Sequence, residues 1–384
     1  MANGETSALA AARTFAADVI APNAEHWETL GRVPYDAFER AAEMGLCGLM
    51  VPEALGGRGL GVGGMAAVME ELASVCMNTA FSLLVHNNLA APIARVGSEA
   101  QRDRYVREMI RGLKIGAFLL TEPEVGSDAQ SIKTRAERGD GGWIISGQKA
   151  WVSNGTFADV LSVYAQTEPG AGARGIACFL VEADTPGVKR EDRVNVMRGH
   201  ALGTCAFSFD GCGVSDEMML LAPGEAFGAA MSGIDTARIN VAAMCCGMLR
   251  MSLAEAVDYS SRREAFGQLT LDFQGLRWML AEVATALEAA KLLTDRAADL
   301  MDSGAGATIA AAHAKKFATR VAFTGIADCM QAMGAAGYSA EYPLARHLAA
   351  AKMAQFLDGT TEIQNLVIAR ALQSDYGKQE RPPP

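Results

Sequence analysis

No run of 18 apolar residues occurs in the chain, and no basic leader precedes an apolar stretch at its start. Neither a membrane-spanning helix nor a secretory leader is expected, so a cytoplasmic, non-membrane protein is. No CxxC pair occurs among Cys47, Cys76, Cys178, Cys205, Cys212, Cys245, Cys246 and Cys329. Most lie in apolar runs, which points to buried free thiols rather than a disulfide framework. His26, His86, His200, His313 and His347 show no metal-ligand spacing, alone or with the cysteines, so no metal is expected. A P-loop and a GxSxG elbow are missing too. Basic residues are outnumbered, 34 Lys and Arg against 44 Asp and Glu, for a net charge of −10. That argues against nucleic acid or an anionic membrane as partner. It leaves room for an anionic cofactor in a local basic pocket.

What is present describes a folded protein: 384 residues, half of them hydrophobic and 20% charged. Such a length holds two or three domains. Residues 8–115 read as helical, with helices over 10–20, 35–44, 65–76, 80–96 and 99–111. Pro22 reads as the breaker after the first. Gly59-Leu60-Gly61-Val62-Gly63-Gly64 matches GxGxxG by letter, but no strand signal precedes it, so it reads as a loop. His86, in an apolar helix, fits a hydrogen-bonded core histidine or a pocket-lining residue.

The pattern changes near residue 116. Short alternating segments at 143–147, 160–164, 176–181 and 206–209, separated by turns, predict an antiparallel β-barrel or sandwich. From about 225 it becomes helical again. Phe273, Leu276, Leu280, Val283, Leu287 and Ala290 recur at three- and four-residue spacing. Helices over 232–262, 306–333, 342–355 and from 359 predict an antiparallel bundle. The expected fold is α+β, mostly α: an N-terminal helical domain (1–116), a middle β domain (117–227) and a C-terminal helical bundle (228–384) with a frayed tail at 379–384.

Five stretches carry possible chemistry. Leu120-Thr121-Glu122-Pro123-Glu124-Val125-Gly126-Ser127-Asp128 is a polar loop that fits a connector or a phosphate- or flavin-holding loop. Gly147-Gln148-Lys149-Ala150-Trp151-Val152-Ser153-Asn154-Gly155 sets a tryptophan beside a hydroxyl, able to stack on a planar cofactor or to fill a β core. Arg263-Glu264-Ala265-Phe266-Gly267-Gln268 offers an arginine suited to pyrophosphate. Gln331-Ala332-Met333-Gly334-Ala335-Ala336-Gly337-Tyr338 offers close backbone approach. Asp358-Gly359-Thr360-Thr361-Glu362-Ile363-Gln364 reads, by itself, as a helix N-cap at Asp358.

In this order and spacing, over about residues 8–371, these stretches resemble the acyl-CoA dehydrogenase family. The resemblance implies FAD held between the β domain and the bundle, in an oligomer that is usually a tetramer. It places Phe118, Leu120, Thr121, Gly126, Ser127, Trp151 and Ser153 on the flavin side. Arg263, Phe266, Gln274, Gln331, Gly334, Thr360 and Glu362 fall at the adenine and pyrophosphate end, part of it from a neighbouring subunit. Ser127, Asp235 and Arg238 match positions that meet coenzyme A. The implied reaction is α,β-dehydrogenation of an acyl thioester, on CoA or a carrier protein. A carboxylate takes the α-proton, hydride passes to flavin N5, and electrons leave to an electron-transfer flavoprotein.

The chain departs from that family at the base. Asp358 stands where a glutamate is usual, about 1.5 Å shorter in reach, and a misplacement near 1 Å costs roughly 100-fold. Ala237 occupies the position of an alternative base in some relatives. Leu348-Ala349-Ala350-Ala351-Lys352, Leu357, His200 and Leu202 depart as well. The expectation is dehydrogenation with Asp358 as base. Its alternatives are nitroalkane oxidation, desulfination or lyase chemistry on an acyl-CoA, or a non-catalytic acyl-CoA-binding flavoprotein.

Overall fold

The computed structural model describes residues 3–377, with side chains for 4–373; the tail expected to fray lies outside them. The chain divides into two compact units between Gly233 and Ile234.

The first unit opens with helices α1 (Asn3–Phe15), α2 (Ala21–Leu30), α3 (Tyr35–Glu43), α4 (Val62–Ala73), α5 (Met77–Val96), α6 (Glu99–Gln101) and α7 (Arg107–Ile110). Pro22 does not end the first helix. A π-helical turn, Ala16–Ile20, runs directly into α2, and Pro22 sits in the first turn of α2. The widened turn absorbs the backbone bond that proline cannot make. Ser98 starts α6 with a reciprocal cap: its hydroxyl accepts from Gln101 N–H at 3.1 Å, and its own N–H donates to the Gln101 side chain at 2.9 Å. Gly59–Gly64 forms the loop and first turn of α4, after a 3-10 turn rather than a strand, so it is not a dinucleotide turn.

Helix α5 is buried on nearly every side. His86 on it is a core histidine: Nε2 donates to the Met109 carbonyl at 3.0 Å, and Nδ1 accepts from Gly116 N–H at 3.3 Å. Burial pushes it down to about 4, against backbone bonds to Met109 and Cys47, so it is neutral at pH 7.

Strands follow: β1 (Gly116–Leu119), β2 (Arg135–Gly139), β3 (Gly142–Val152), β4 (Val160–Gln166), β5 (Ile176–Glu182), β6 (Val188–Arg193), β7 (Cys205–Ser215) and β8 (Met219–Leu221). They make one sheet in the order β6-β7-β3-β2-β4-β5-β8, with β1 on β4. The β domain is there as expected, but the sheet is mixed and open. Strand β4 runs parallel to both β1 and β2, and β6 and β8 do not pair. Alternation reports which face of a strand is buried, not the direction of its partner. Leu119, Leu161, Val163, Phe179 and Phe207 fill the core.

The second unit takes most of α8 (Ala226–Ser260), the hairpin β9 (Glu264–Ala265) and β10 (Gln268–Leu269), then α9 (Gln274–Asp302), α10 (Thr308–Met333), α11 (Leu344–Ala354) and α12 (Thr361–Gly377). Helix α10 packs against α9, α11 and α12. It carries a stripe of small buried residues, Ala311, Ala314, Ala318 and Ala322. At Gly325 the fit is closest: a Cβ there would meet Leu249 at 2.8 Å and Val283 at 3.2 Å. Among the described residues no helix is long and apolar enough to cross a membrane.

Candidate active site

The turn between α11 and α12 is where chemistry is most sharply prepared. Asp358 sits in the left-handed region at φ 50°, followed by Gly359 at φ 93°. Aspartate tolerates that region better than most side chains, and glycine freely. Two cations from two helices fix the turn. Arg238 Nε on α8 donates to the Asp358 carbonyl at 3.0 Å. Lys315 Nζ on α10 donates to the next carbonyl, that of Gly359. Gln364 Nε2 donates to the same Gly359 oxygen at 2.9 Å.

Asp358 is not the cap of α12. Thr360 is: its hydroxyl accepts from Ile363 N–H at 3.4 Å, and its carbonyl from Gln364 N–H at 3.1 Å. The Asp358 side chain is left over. The residue is half-buried, yet its Oδ2 is shut from solvent and has no hydrogen-bond partner among the described residues. Burial raises the carboxyl above its ordinary value, and Lys315 and Arg238 pull the other way. A carboxylate with a raised proton affinity and an unused buried oxygen is suited to take a proton from carbon.

Asp235 and Arg238, expected to meet coenzyme A, are 6% and 7% exposed. Arg238 Nη1 bonds Asp235 Oδ1 at 2.9 Å, and Thr308 Oγ1 donates to Asp235 Oδ2 at 2.6 Å. Arg238 thus links Asp235 to the turn. Ala237 is buried and carries no titrating group, so it offers no base of its own.

In the first unit, the two motifs expected at the flavin are tied together. Lys149 on β3 is fully buried and bonds the Leu120 carbonyl and Glu122 Oε1, both at 2.9 Å. The Glu122 carboxylate also accepts from Lys133 N–H at 2.6 Å and Thr134 N–H at 2.9 Å. Ala150 N–H donates to the Thr121 carbonyl at 2.9 Å. Burial pushes Lys149 down to about 8, against Glu122. Glu122 is raised by burial, but Lys149 and its hydrogen bonds outweigh that and hold it below its ordinary value.

That strut leaves the loop's far end open. Gly126 and Ser127 are exposed, and their N–H groups find no partner among the described residues. Trp151 is 62% exposed and held at φ 57°. Ser153 is half-buried, Leu120 buried, and the Phe118 ring lies 5.1 Å from that of Tyr164, tilted by 57°. Asn154, at φ 63°, anchors the end of β3 by donating to the carbonyls of Ser82 and Gly116 and accepting from the Ser82 hydroxyl. Leu202 is buried and its carbonyl accepts from Asn154 N–H, while His200 is held by Glu28 at 3.1 Å. Open loop N–H groups and an exposed tryptophan at positive φ, on two segments joined by that strut, fit the edge and face of a flavin.

The adenine-end set divides. Arg263, Phe266 and Gln274 cluster at the hairpin, whose two-residue turn is Phe266 at φ 52° and Gly267 at φ 79°. Both angles are positive, as a tight hairpin turn requires. Phe266 is 96% exposed and meets Phe273 edge-on at 6.2 Å. Gln331 and Gly334 lie at the end of α10, with no hydrogen bond to the hairpin group among the described residues. Thr360 and Glu362 belong to the Asp358 turn.

Lys315 lies outside every quoted motif, while Gln364, Lys149 and Glu122 lie inside motifs that assigned them no role. Lys315 had a signal. It falls on the same helical stripe as Ala311, Ala318 and Ala322, where a lysine is out of place unless paired.

The acyl-CoA dehydrogenase N-terminal, middle and C-terminal domain families match residues 4–113, 117–212 and 224–373. The short-chain specific acyl-CoA dehydrogenase of Bos taurus mitochondria is 36% identical, over 95% of this chain and 89% of that protein. The structure of butyryl-CoA dehydrogenase from Megasphaera elsdenii superposes with a TM-score of 0.92 at 34% identity, over 97% of this chain and 98% of that one. A glutaryl-CoA dehydrogenase from Mycobacterium smegmatis, solved with FADH2, gives 0.91 at 27% identity, over 97% and 95%. With three matching domain families in order, and relatives aligned end to end, the chain belongs to the acyl-CoA dehydrogenase family, oxidoreductases that act on CH–CH groups with FAD as cofactor.

Proposed function

We propose that this protein dehydrogenates a short-chain acyl-CoA, with Asp358 as the base that removes the α-proton. The observation that carries the reading is the Asp358 turn. Three donors fix its two carbonyls, while the carboxyl keeps a buried oxygen with no partner among the described residues. Such a group is held ready for something outside the chain.

Bound FAD supplies the acceptor for the β-hydrogen, taken as hydride. Asp358 holds the proton. On the first unit, Gly126, Ser127, Trp151 and Ser153 would meet the flavin, with Phe118, Leu120 and Thr121 behind them. On the second, Arg263, Phe266, Gln274, Gln331, Gly334, Thr360 and Glu362 would meet the adenine and pyrophosphate. Ser127 would also meet coenzyme A. Asp235 and Arg238 would orient the base turn. An electron-transfer flavoprotein is the proposed electron acceptor, and the working form is proposed as a homotetramer in the cytoplasm. The short-chain preference rests on likeness to the bovine and Megasphaera enzymes.

The test is an anaerobic panel of short, branched, aromatic and carrier-bound thioesters, followed by flavin absorbance. Butyryl-CoA should bleach the yellow protein. Asp358→Asn should slow bleaching by about 10²- to 10⁴-fold while FAD stays bound. Bleaching that survives in Asp358→Asn removes the base assignment. Oxygen uptake with a nitroalkane in place of thioester oxidation removes the reaction. The rate should fall as pH drops through a value above the ordinary 3.8 of an aspartate, because burial raises the folded group and only the ionised form accepts a proton.

A further inference from the structure

Lys315 is out of place as a structural residue. It is 1% exposed on α10, between alanines of the stripe that packs the bundle. Its one hydrogen bond among the described residues goes to the Gly359 carbonyl. That oxygen already has Gln364 Nε2 at 2.9 Å, so satisfying it does not require an ammonium group. Burying a charge is costly unless something nearby repays it.

The charged and titratable groups facing Lys315 show what does. Arg238 and Cys245 face it from α8, Asp358 from the turn and Glu362 from α12. Glu362 is exposed. Arg238 has its own carboxylate, Asp235. Cys245 is fully buried, and burial pushes its thiol up, so it is neutral at pH 7. Among the described residues, Asp358 is the facing carboxylate that no hydrogen bond engages, and Lys315 is the facing cation that no carboxylate bonds.

We propose that Lys315 is a positioning residue for Asp358: tied to the Gly359 carbonyl, its ammonium group holds the left-handed turn and keeps the base ionised with one oxygen shut from solvent. This rests on the reading of Asp358 as base. Two consecutive carbonyls are pulled by two cations from separate helices, which sets the direction of the carboxylate. The shorter aspartate makes that direction matter more, since it reaches less far than glutamate. The two groups also move as an opposed pair. Burial raises Asp358, which Lys315 counters, and burial lowers Lys315 to about 8, which Asp358 counters.

The experiment compares FAD-loaded wild type, Lys315→Met, Lys315→Gln and the neighbouring control Lys316→Met. Flavin reduction by butyryl-CoA is followed from acid to neutral pH. Infrared difference spectra of the same proteins locate the protonation of Asp358, assigned by the band lost in Asp358→Asn. Lys315→Met should move both the acid limb and the infrared titration upward by about one pH unit or more. It should lower the plateau rate by about 10- to 100-fold. Lys315→Gln keeps a donor without the charge, so it should show the pH shift with less loss of plateau, and it serves should the methionine variant fail to fold. Lys316→Met should match wild type. An unshifted infrared titration in Lys315→Gln overturns the proposal, as does an equal shift in Lys316→Met. Failure of the underlying reading is separate: flavin reduction would then survive Asp358→Asn.

Discussion

Four residues other than glycine hold positive φ among the described residues: Trp151, Asn154, Phe266 and Asp358. All four lie in stretches singled out for chemistry, and strain of this kind costs of order 1–3 kcal/mol per residue. At Asn154 it is offset locally, by bonds to Ser82 and Gly116. At Trp151 and Phe266 the side chains are exposed, so their compensation lies in what the loops present rather than in the core. At Asp358 the neighbouring glycine shares the burden. A Cβ on Gly359 would stand 3.1 Å from Gln364 Nε2 and 3.2 Å from Arg238 Nη2, at a φ that disfavours alanine. Gly359→Ala should therefore twist the turn and loosen its donors. Stability should drop by about 1–2 kcal/mol, and flavin reduction by butyryl-CoA should slow at least tenfold with FAD retained. Stopped-flow absorbance and a urea titration read the two effects. A variant with an unchanged rate would mean that the turn does not aim the base.

At the scale of elements, the strut between the loop at 120–127 and strand β3 decides whether the flavin-side motifs act as one. Lys149 and Glu122 are 0% and 5% exposed, so removing one leaves the other buried and unpaired. Glu122 lies below its ordinary 4.5; its contribution is complete above that value and is lost as pH falls through the lower folded one. Lys149, lowered to about 8, runs the opposite way: its buried charge costs stability below about 8, and the cost fades as pH rises toward 10.5. Lys149→Met should cost about 3 kcal/mol, weaken FAD binding and shift acid-induced loss of FAD to higher pH. Denaturant curves and filtration of free FAD at several pH values check this. Retention of FAD down to the same pH as wild type would show that the strut does not hold the loop.

Element by element, the sequence was readable where structure is local. The helix–strand–helix succession followed from a change in hydrophobic period, and most helices of the bundle begin and end near expectation, though α8 starts at Ala226 rather than near residue 232. Pro22 misled because a π turn upstream absorbs it, and no residue type marks such a turn. The parallel pairs of β4 and the open sheet depend on partners far apart in the chain, which alternation does not encode. Asp358 stood out only through the ordered set of motifs. Its own letters fit a helix cap, a role the structure gives to Thr360. Lys315 was legible in principle, as a charge on an apolar stripe, but a lysine next to Lys316 in an alanine-rich helix reads first as a solvated face.

On the scale of the whole molecule, the second unit exposes several large apolar and aromatic side chains. Phe266 is 96% exposed, Tyr338 84%, Trp278 63% and Leu292 61%. On α9, Trp278, Ala281, Thr285 and Leu292 fall three, four and seven residues apart, so they share one face, and all four are exposed. Trp278 and Leu292 on one exposed helix face fit the interaction surface that an assembly would need. With the proposed homotetramer it would be covered by further copies of the chain, and the exposed hairpin around Arg263 and Phe266 would be free to serve a neighbouring subunit's FAD. Light scattering should then give a mass about four times the 40.4 kDa of one chain at micromolar concentration. Trp278→Glu places a charge in that face. It should lower the mass to that of dimer or monomer, because an unpaired charge buried at an interface costs several kcal/mol. FAD affinity should fall with it, while the far-ultraviolet circular dichroism stays unchanged. A wild-type chain that is monomeric yet holds FAD tightly would refute both the assembly and the shared cofactor site, and would leave the α9 face to a different partner.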